Sequence, residues 1–156
     1  MGTPAVLPPR DNRYFEDYAP GSTYELGSIL VEEAEVIAFA QRYDPQYFHT
    51  DPERAKDGPF GRLAASGWMT AGLFMRLMVE NYASPASLGS PGVDEIRWLN
   101  PVFPGDTLTA RTTVLESRRS RSRPDRGIVT GLSEVFNQDG ERVMTMKAMG
   151  MILCRS

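Results

Sequence analysis

Between Leu63 and Tyr82 the chain reads LAASGWMTAGLFMRLMVENY, and this stretch constrains the fold more than any other. It opens with small residues, carries Ala71 and Gly72, and continues through Leu73, Phe74, Met75, Leu77, Met78 and Val79 with only Arg76 interrupting. A helix apolar on every side is a buried helix. Its length approaches a membrane span, but Arg76, Glu80 and Asn81 occupy its C-terminal half and no basic flank fixes an orientation, so a soluble core helix is expected. From Gly92 to Cys154 the sequence reads as strands. One buried helix followed by a long antiparallel sheet predicts an α+β domain in which the sheet curls around the helix.

The 156 residues, 41% hydrophobic and 24% charged, suit one core, so a single domain over residues 13–156 is expected behind an arm at 1–12. A net charge of −3 offers no general attraction to nucleic acid or an anionic membrane, and neither partner is expected. The N-terminal MGTPAVLPPRDN has no charged and then apolar region of a signal peptide. Cys154 is the one cysteine, which precludes an intrachain disulfide and points to a reducing, cytoplasmic setting. The single histidine, His49, removes the paired-His and Cys/His spacings of metal sites, so no metal is expected. GxSxG and the phosphate-binding GxxxxGK[ST] pattern are absent, and covalent catalysis by a triad has no support.

Pro4, Pro8 and Pro9 make residues 1–12 a loose arm. Tyr24, Leu26 and Leu30 predict a strand, and Val36, Phe39, Ala40 and Tyr43 then recur at helical spacing over Glu32 to Tyr43. Pro45 ends that helix at Asp44. Asp51-Pro52-Glu53 reads as a cap, a first-turn proline and a favourable acid, predicting a short helix over Asp51 to Lys56. Alternation predicts strands over Val93–Leu99, Leu108–Val114, Ile128–Phe136 and Val143–Leu153, with a hairpin turn at Asn137–Gly140.

Asp44 and His49 are the candidate chemical pair. At the negative end of its helix a carboxylate is disfavoured by roughly 0.3–1 kcal/mol, which predicts a raised pKa if the site is enclosed. His49 follows on a proline-rich segment read as irregular, where a bend brings both into one pocket as an acid/base couple. The alternative is a helix-ending surface Asp and a hydrogen-bonded loop His. The start of the buried helix adds backbone N–H groups without intrahelical partners, suited to a developing oxyanion, and the three together define proton transfer beside a carbonyl. Ser66 has two readings there, oxyanion donor or helix N-cap, and the cap is favoured.

Three motifs in order, YDPQYFHTDP at Tyr43–Pro52, FGRLAASGW at Phe60–Trp68 and RWLNPVFPGDTL at Arg97–Leu108, resemble the MaoC-like dehydratases, hot-dog-fold relatives of the (R)-specific enoyl-CoA hydratases. The resemblance spans about Tyr14 to Leu153. It implies a coenzyme-A or carrier-protein thioester as substrate, coenzyme A entering only as part of that substrate, and a homodimer or higher oligomer. It matches Asp44 and His49 to the family's catalytic pair and Gly67 to the glycine whose N–H polarises the thioester carbonyl. Two departures stand out. The segment after Asp44 is Pro45-Gln46-Tyr47-Phe48, with the proline displaced, and Met69 stands where the dehydratase branch often has His.

Arg118 to Arg126, with Arg121 and Arg123 central, is the most basic stretch. It reads as a solvated hairpin connection or, as forks for phosphate oxygens, as a contact for coenzyme A. Trp68, Trp98 and the methionines read as core or interface, and Asp106 as part of the Pro104-Gly105 turn. The expected activity is reversible hydration of a 2-enoyl thioester. A hot-dog thioesterase and a non-catalytic thioester-binding protein are the alternatives; release of free thiol, or binding without turnover, would identify them.

Overall fold

The computed structural model describes residues 2–156. In chain order its elements are β1 (Thr3–Pro4), β2 (Ser22–Leu30), α1 (Glu33–Tyr43), α2 (Tyr47–Thr50), α3 (Pro52–Ala55), α4 (Gly67–Asn81), β3 (Gly92–Trp98), β4 (Thr107–Arg119), β5 (Arg126–Phe136) and β6 (Arg142–Leu153), with single 3-10 turns at Arg10–Asn12 and Phe15–Asp17. One sheet carries all six strands in the order β1-β2-β4-β5-β6-β3. Its pairings are antiparallel except the short parallel contact of β1 with β2.

The sheet bends because its ladders are broken by bulges, between Glu25 and Ser28, between Val114 and Glu116, and between Val93 and Glu95. A bulge inserts an unpaired residue and increases local twist. Gly27 takes up the first one at φ 84°, a left-handed conformation that favours glycine. Asn81, last residue of α4, anchors the helix there by donating from Nδ2 to Leu26 O (2.6 Å) and Leu77 O (3.0 Å).

Helix α4 buries Met69, Thr70, Leu73, Phe74 and Leu77, which recur at three and four residues and form one face. That face joins Leu108, Ala110, Val114, Val135, Val143 and Met144 in one core cluster. The expectation of burial on every side is corrected. Trp68 (60% exposed), Gly72, Met75 (47%) and Val79 (43%) form a second, solvent-facing stripe at i, i+4, i+7 and i+11. Within the Leu63–Tyr82 stretch the helix begins at Gly67, with Ser66 as its expected cap, at an extended ψ of 138°.

Other differences have local causes. The arm expected to be loose is tied to the sheet at residues 3–5, where Thr3 N–H donates to Gly21 O (2.7 Å) and Ala5 N–H to Thr23 O (2.9 Å). An open strand edge accepts such a segment, and Pro4, without an N–H, is tolerated on an edge. Strand β4 runs on to Arg119 and β5 begins at Arg126, so the ends of the arginine run are strand residues and the turn is shorter than the run. No helix among the described residues is long and apolar enough to cross a membrane.

Phe74 is 1% exposed at the centre of this packing. Phe74→Ala is expected to cost about 3–5 kcal/mol, measured as a lower urea midpoint with little change in the slope of the transition.

Candidate active site

Asp44 terminates α1, its N–H donating to Ala40 O at 2.9 Å, and Pro45 forbids another helical turn. His49 does not lie on an irregular segment as expected. It sits on the single-turn helix α2, whose Gln46 carbonyl accepts His49 N–H at 2.9 Å. That turn drives the imidazole inward, where it is 6% exposed. His49 Nε2 then stands 3.5 Å from Asp44 Oδ2.

The rest of the imidazole is held from three sides. Nδ1 is 2.6 Å from Ala64 O, and a carbonyl can only accept, so Nδ1 carries the proton and donates it. The ring's other nitrogen, Nε2, faces Asp44. Phe48 meets the ring edge-on at 4.6 Å between centroids, and Phe60 stacks nearly parallel at 6.3 Å.

For Asp44 the expected upward pKa displacement is corrected. Desolvation pushes the carboxyl up, but hydrogen bonds from Gln46 and Ser66, with the charge on His49, outweigh it, and the net shift is below the ordinary 3.8. Gln46 Nε2 donates to Oδ1 at 2.7 Å, so the amide two residues on is the carboxylate's partner. Ser66 is fully buried and serves both ways. Its oxygen accepts Trp68 N–H at 3.3 Å as the N-cap of α4, and its hydroxyl is one of the groups that favour the ionised Asp44. Of the two roles weighed for Ser66, the cap is the one seen.

The pair opens into a cleft of about 450 Å³ bounded by Phe60, Ala64, Gly67, Thr70, Trp98 and Val102 among others. In the first turn of α4, Trp68 N–H is taken by Ser66 Oγ, and Met69 and Thr70 N–H by Ser66 O, while Gly67, whose N–H has no partner among the described residues, lines this cleft. Trp98, read from sequence as core or interface, lies over Gly67. Its Nε1–H donates to Gly67 O at 2.8 Å, and a Cβ at residue 67 would come within 2.5 Å of the indole. Glycine is required there by the chain's own tryptophan.

Met69 is buried in the core and does not line the cleft. A separate, mainly apolar cavity of about 280 Å³ lies between the C-terminal half of α4 and strands β5 and β6; Phe74 lines it one turn beyond Thr70. Arg121 and Arg123 are not brought to the cleft of their own chain. They lie in the β4–β5 turn, and neither is among the residues that line the cleft. Asp106 is a turn residue as read, accepting Phe103 N–H at 3.0 Å, and is 5% exposed. Phe60, Trp98 and the Ala64 carbonyl were not singled out as site groups from sequence, and Gln46 was noted only in the altered segment after Asp44; all four lie within the motif segments.

The MaoC like domain family model matches residues 16–135, and the chain belongs to that family. A MaoC-like dehydratase structure from Rhodospirillum rubrum is 43% identical, covers 93% of this chain and 99% of its own, and superimposes with a TM-score of 0.85. The (R)-hydratase of A. caviae involved in PHA biosynthesis is 29% identical over 85% of this chain and 95% of its own, at a TM-score of 0.70. The 3-hydroxyacyl-thioester dehydratase Z of Mycobacterium tuberculosis is 34% identical over 90 residues, 56% of this chain and 60% of the dehydratase. The fold is accordingly the hot-dog fold, α4 its central helix.

Because Asp44 titrates below its unfolded value, its ionisation adds stability above about pH 4 that is lost as pH falls through the folded pKa. Ser66→Ala removes one donor while desolvation persists. Asp44 is then expected to titrate higher, read by carboxyl-carbon NMR, with about 1 kcal/mol lost from the helix cap. An unmoved titration would show that Ser66 does not hold the carboxylate.

Proposed function

We propose that this protein is a hydro-lyase that adds water to 2-enoyl thioesters, or removes it from 3-hydroxyacyl thioesters, with Asp44 and His49 as the working pair. The observation that carries the reading is the geometry of Asp44 Oδ2 and His49 Nε2, 3.5 Å apart on one cleft wall, with Nδ1 of the same ring held as a donor by Ala64 O. In the reacting state the ring is neutral, so Nε2 and Oδ2 are both acceptors and a proton donor bridges them. Water has two O–H groups, and a molecule seated there donates to both and turns its lone pair into the cleft.

Asp44, kept ionised by its hydrogen bonds, orients the water. His49 does the proton transfer. As the water oxygen bonds to C3 of the enoyl thioester, Nε2 takes one proton, and the imidazolium so formed is stabilised by the adjacent carboxylate. The electrons of the C2–C3 double bond move toward the thioester oxygen, which Gly67 N–H stabilises at the head of α4. The imidazolium then returns the proton to C2, and the sum is addition of one water. Dehydration is the same path reversed. Family membership and the activities named for the hydratase and dehydratase relatives support this reaction class over thioester hydrolysis. The substrate is an acyl thioester of coenzyme A or a carrier protein, and the enzyme acts in the cytoplasm as a homodimer.

A panel of 2-enoyl and 3-hydroxyacyl coenzyme-A thioesters, followed by enoyl absorbance, tests the activity. Asp44→Asn and His49→Ala are each expected to lower kcat/KM by about 10²–10⁴-fold with circular dichroism unchanged. Activity within about threefold of wild type in both would remove the pair from the mechanism. In a complex with a non-hydrolysable enoyl thioester, the carbonyl oxygen is expected about 2.7–3.1 Å from Gly67 N. A carbonyl turned toward solvent or Arg97 would exclude stabilisation by the helix terminus.

A further inference from the structure

We infer that Thr70 is the third hydrogen-bond partner of the reacting oxygen, its hydroxyl donating to the water that adds at C3 or to the 3-hydroxyl that leaves. This rests on the proposed reaction and adds a group to that same cleft.

Thr70 occupies a position suited to an apolar residue. It belongs to the face of α4 that carries Leu73, Phe74 and Leu77, and it is 1% exposed. Its backbone N–H is spent on Ser66 O at 3.1 Å. Its hydroxyl has no hydrogen-bond partner among the described residues. Other buried hydroxyls are paired: Ser66 with Trp68 N–H, Ser84 with Arg13 O, and Thr112 with Ser133 at 2.8 Å. A buried hydroxyl without a partner costs stability, and valine, of the same shape, would fill the place without that cost.

No fully enclosed side-chain nitrogen or oxygen among the described residues lacks a partner. The Thr70 oxygen is therefore not sealed in. What remains accessible of this residue includes its hydroxyl, and the space it reaches is the cleft that Thr70 lines with Asp44, His49 and Gly67.

Helix geometry gives the hydroxyl its direction. Residue 70 follows Ser66 by one turn on the same face, and helical side chains lean back over the preceding turn. The Thr70 hydroxyl thus lies on the side of Ser66, whose own hydroxyl is one of the groups that favour the ionised Asp44. Along the axis Thr70 is three residues, roughly 4.5 Å, beyond Gly67. A thioester carbonyl at Gly67 N–H puts the oxygen on C3 three bonds from C1, which is a comparable depth.

A reacting water has two hydrogens and two lone pairs. In the proposed reaction the hydrogens point to Asp44 Oδ2 and His49 Nε2, and one lone pair bonds to C3. The second lone pair is left for a donor, and Thr70 carries the one hydroxyl among the residues that line the cleft. Thr70 keeps its proton throughout. During hydration its bond holds the oxygen in line with C3. During dehydration the C3–O bond breaks as the imidazolium protonates the oxygen, and the same bond supports the electron pair that departs with it.

Thr70→Val tests the contact, because it deletes the hydroxyl and keeps the shape. It is expected to raise Tm by about 4 °C while lowering kcat/KM for an enoyl thioester about tenfold. Thr70→Ser, which retains the hydroxyl, should stay within about threefold of wild type. Calorimetry in a His49→Ala background, where turnover is removed, separates binding from chemistry. There Thr70→Val is expected to weaken binding of a 3-hydroxyacyl coenzyme-A thioester about tenfold and to leave a saturated acyl thioester, without an oxygen on C3, unchanged. A lowered Tm in Thr70→Val would make the hydroxyl a structural group. Activity within about threefold of wild type, or equal weakening of both thioesters, would remove it from the reacting oxygen. Selective loss of 3-hydroxyacyl binding, in a protein that hydrates no enoyl thioester, would keep the Thr70 contact and count against the proposed reaction alone.

Discussion

The site depends on the extended segment Leu63–Ser66, four buried residues with hardly a side chain capable of chemistry. Its backbone does the work. Ala64 N–H donates to Phe48 O at 3.0 Å, Ala64 O accepts from His49 Nδ1, and Ala65 N–H donates to Val102 O at 2.7 Å. Residue 66 then caps α4 and holds Asp44. This one segment joins the helix that carries the histidine, the connector that leads into β4 and the head of the central helix. A shift of it would move histidine tautomer, carboxylate and oxyanion donor together, which is why small residues fill it: larger ones would separate the elements it stitches.

The Asp44 carboxyl ends with the opposite shift to the one its position in the sequence suggests. A helix C-terminus disfavours its carboxylate, and burial adds to that cost. The folded surroundings, Gln46 and His49 close by and Ser66 from further along the chain, reverse the sign. In the proposed reaction this fits Asp44 to orient water rather than to donate protons and leaves the proton transfer to His49, with Gln46 as a direct hydrogen-bond partner of the carboxylate.

The central helix has two faces with different obligations. Phe74, Leu77 and Met69 are buried against the sheet of their own chain, and Trp68, Met75 and Val79 remain largely exposed. Apolar composition all round was legible; which neighbour covers each side was not, because periodicity records how much surface is apolar and does not identify the surface that meets it.

The order of elements, the central helix and its wrapping by a long antiparallel sheet followed from apolar periodicity, from Pro45 and from the Asp51 cap, all local signals in which a residue's own backbone preference fixes the outcome. The pairing of Asp44 with His49 was legible as spacing and motif. The one-turn helix α2, the Ala64 carbonyl that sets the histidine tautomer and the indole of Trp98 over Gly67 were not, since each is a contact between residues 15 to 31 positions apart or a turn too short to show a period. The arginine run was visible as charge, but its place at the far end of β4 depended on where that strand ended. Sequence thus determined which groups are available and which elements carry them. Tertiary structure decided their protonation, their neighbours and the direction each one faces, because those are set by hydrogen bonds and desolvation among segments that only the folded chain brings together.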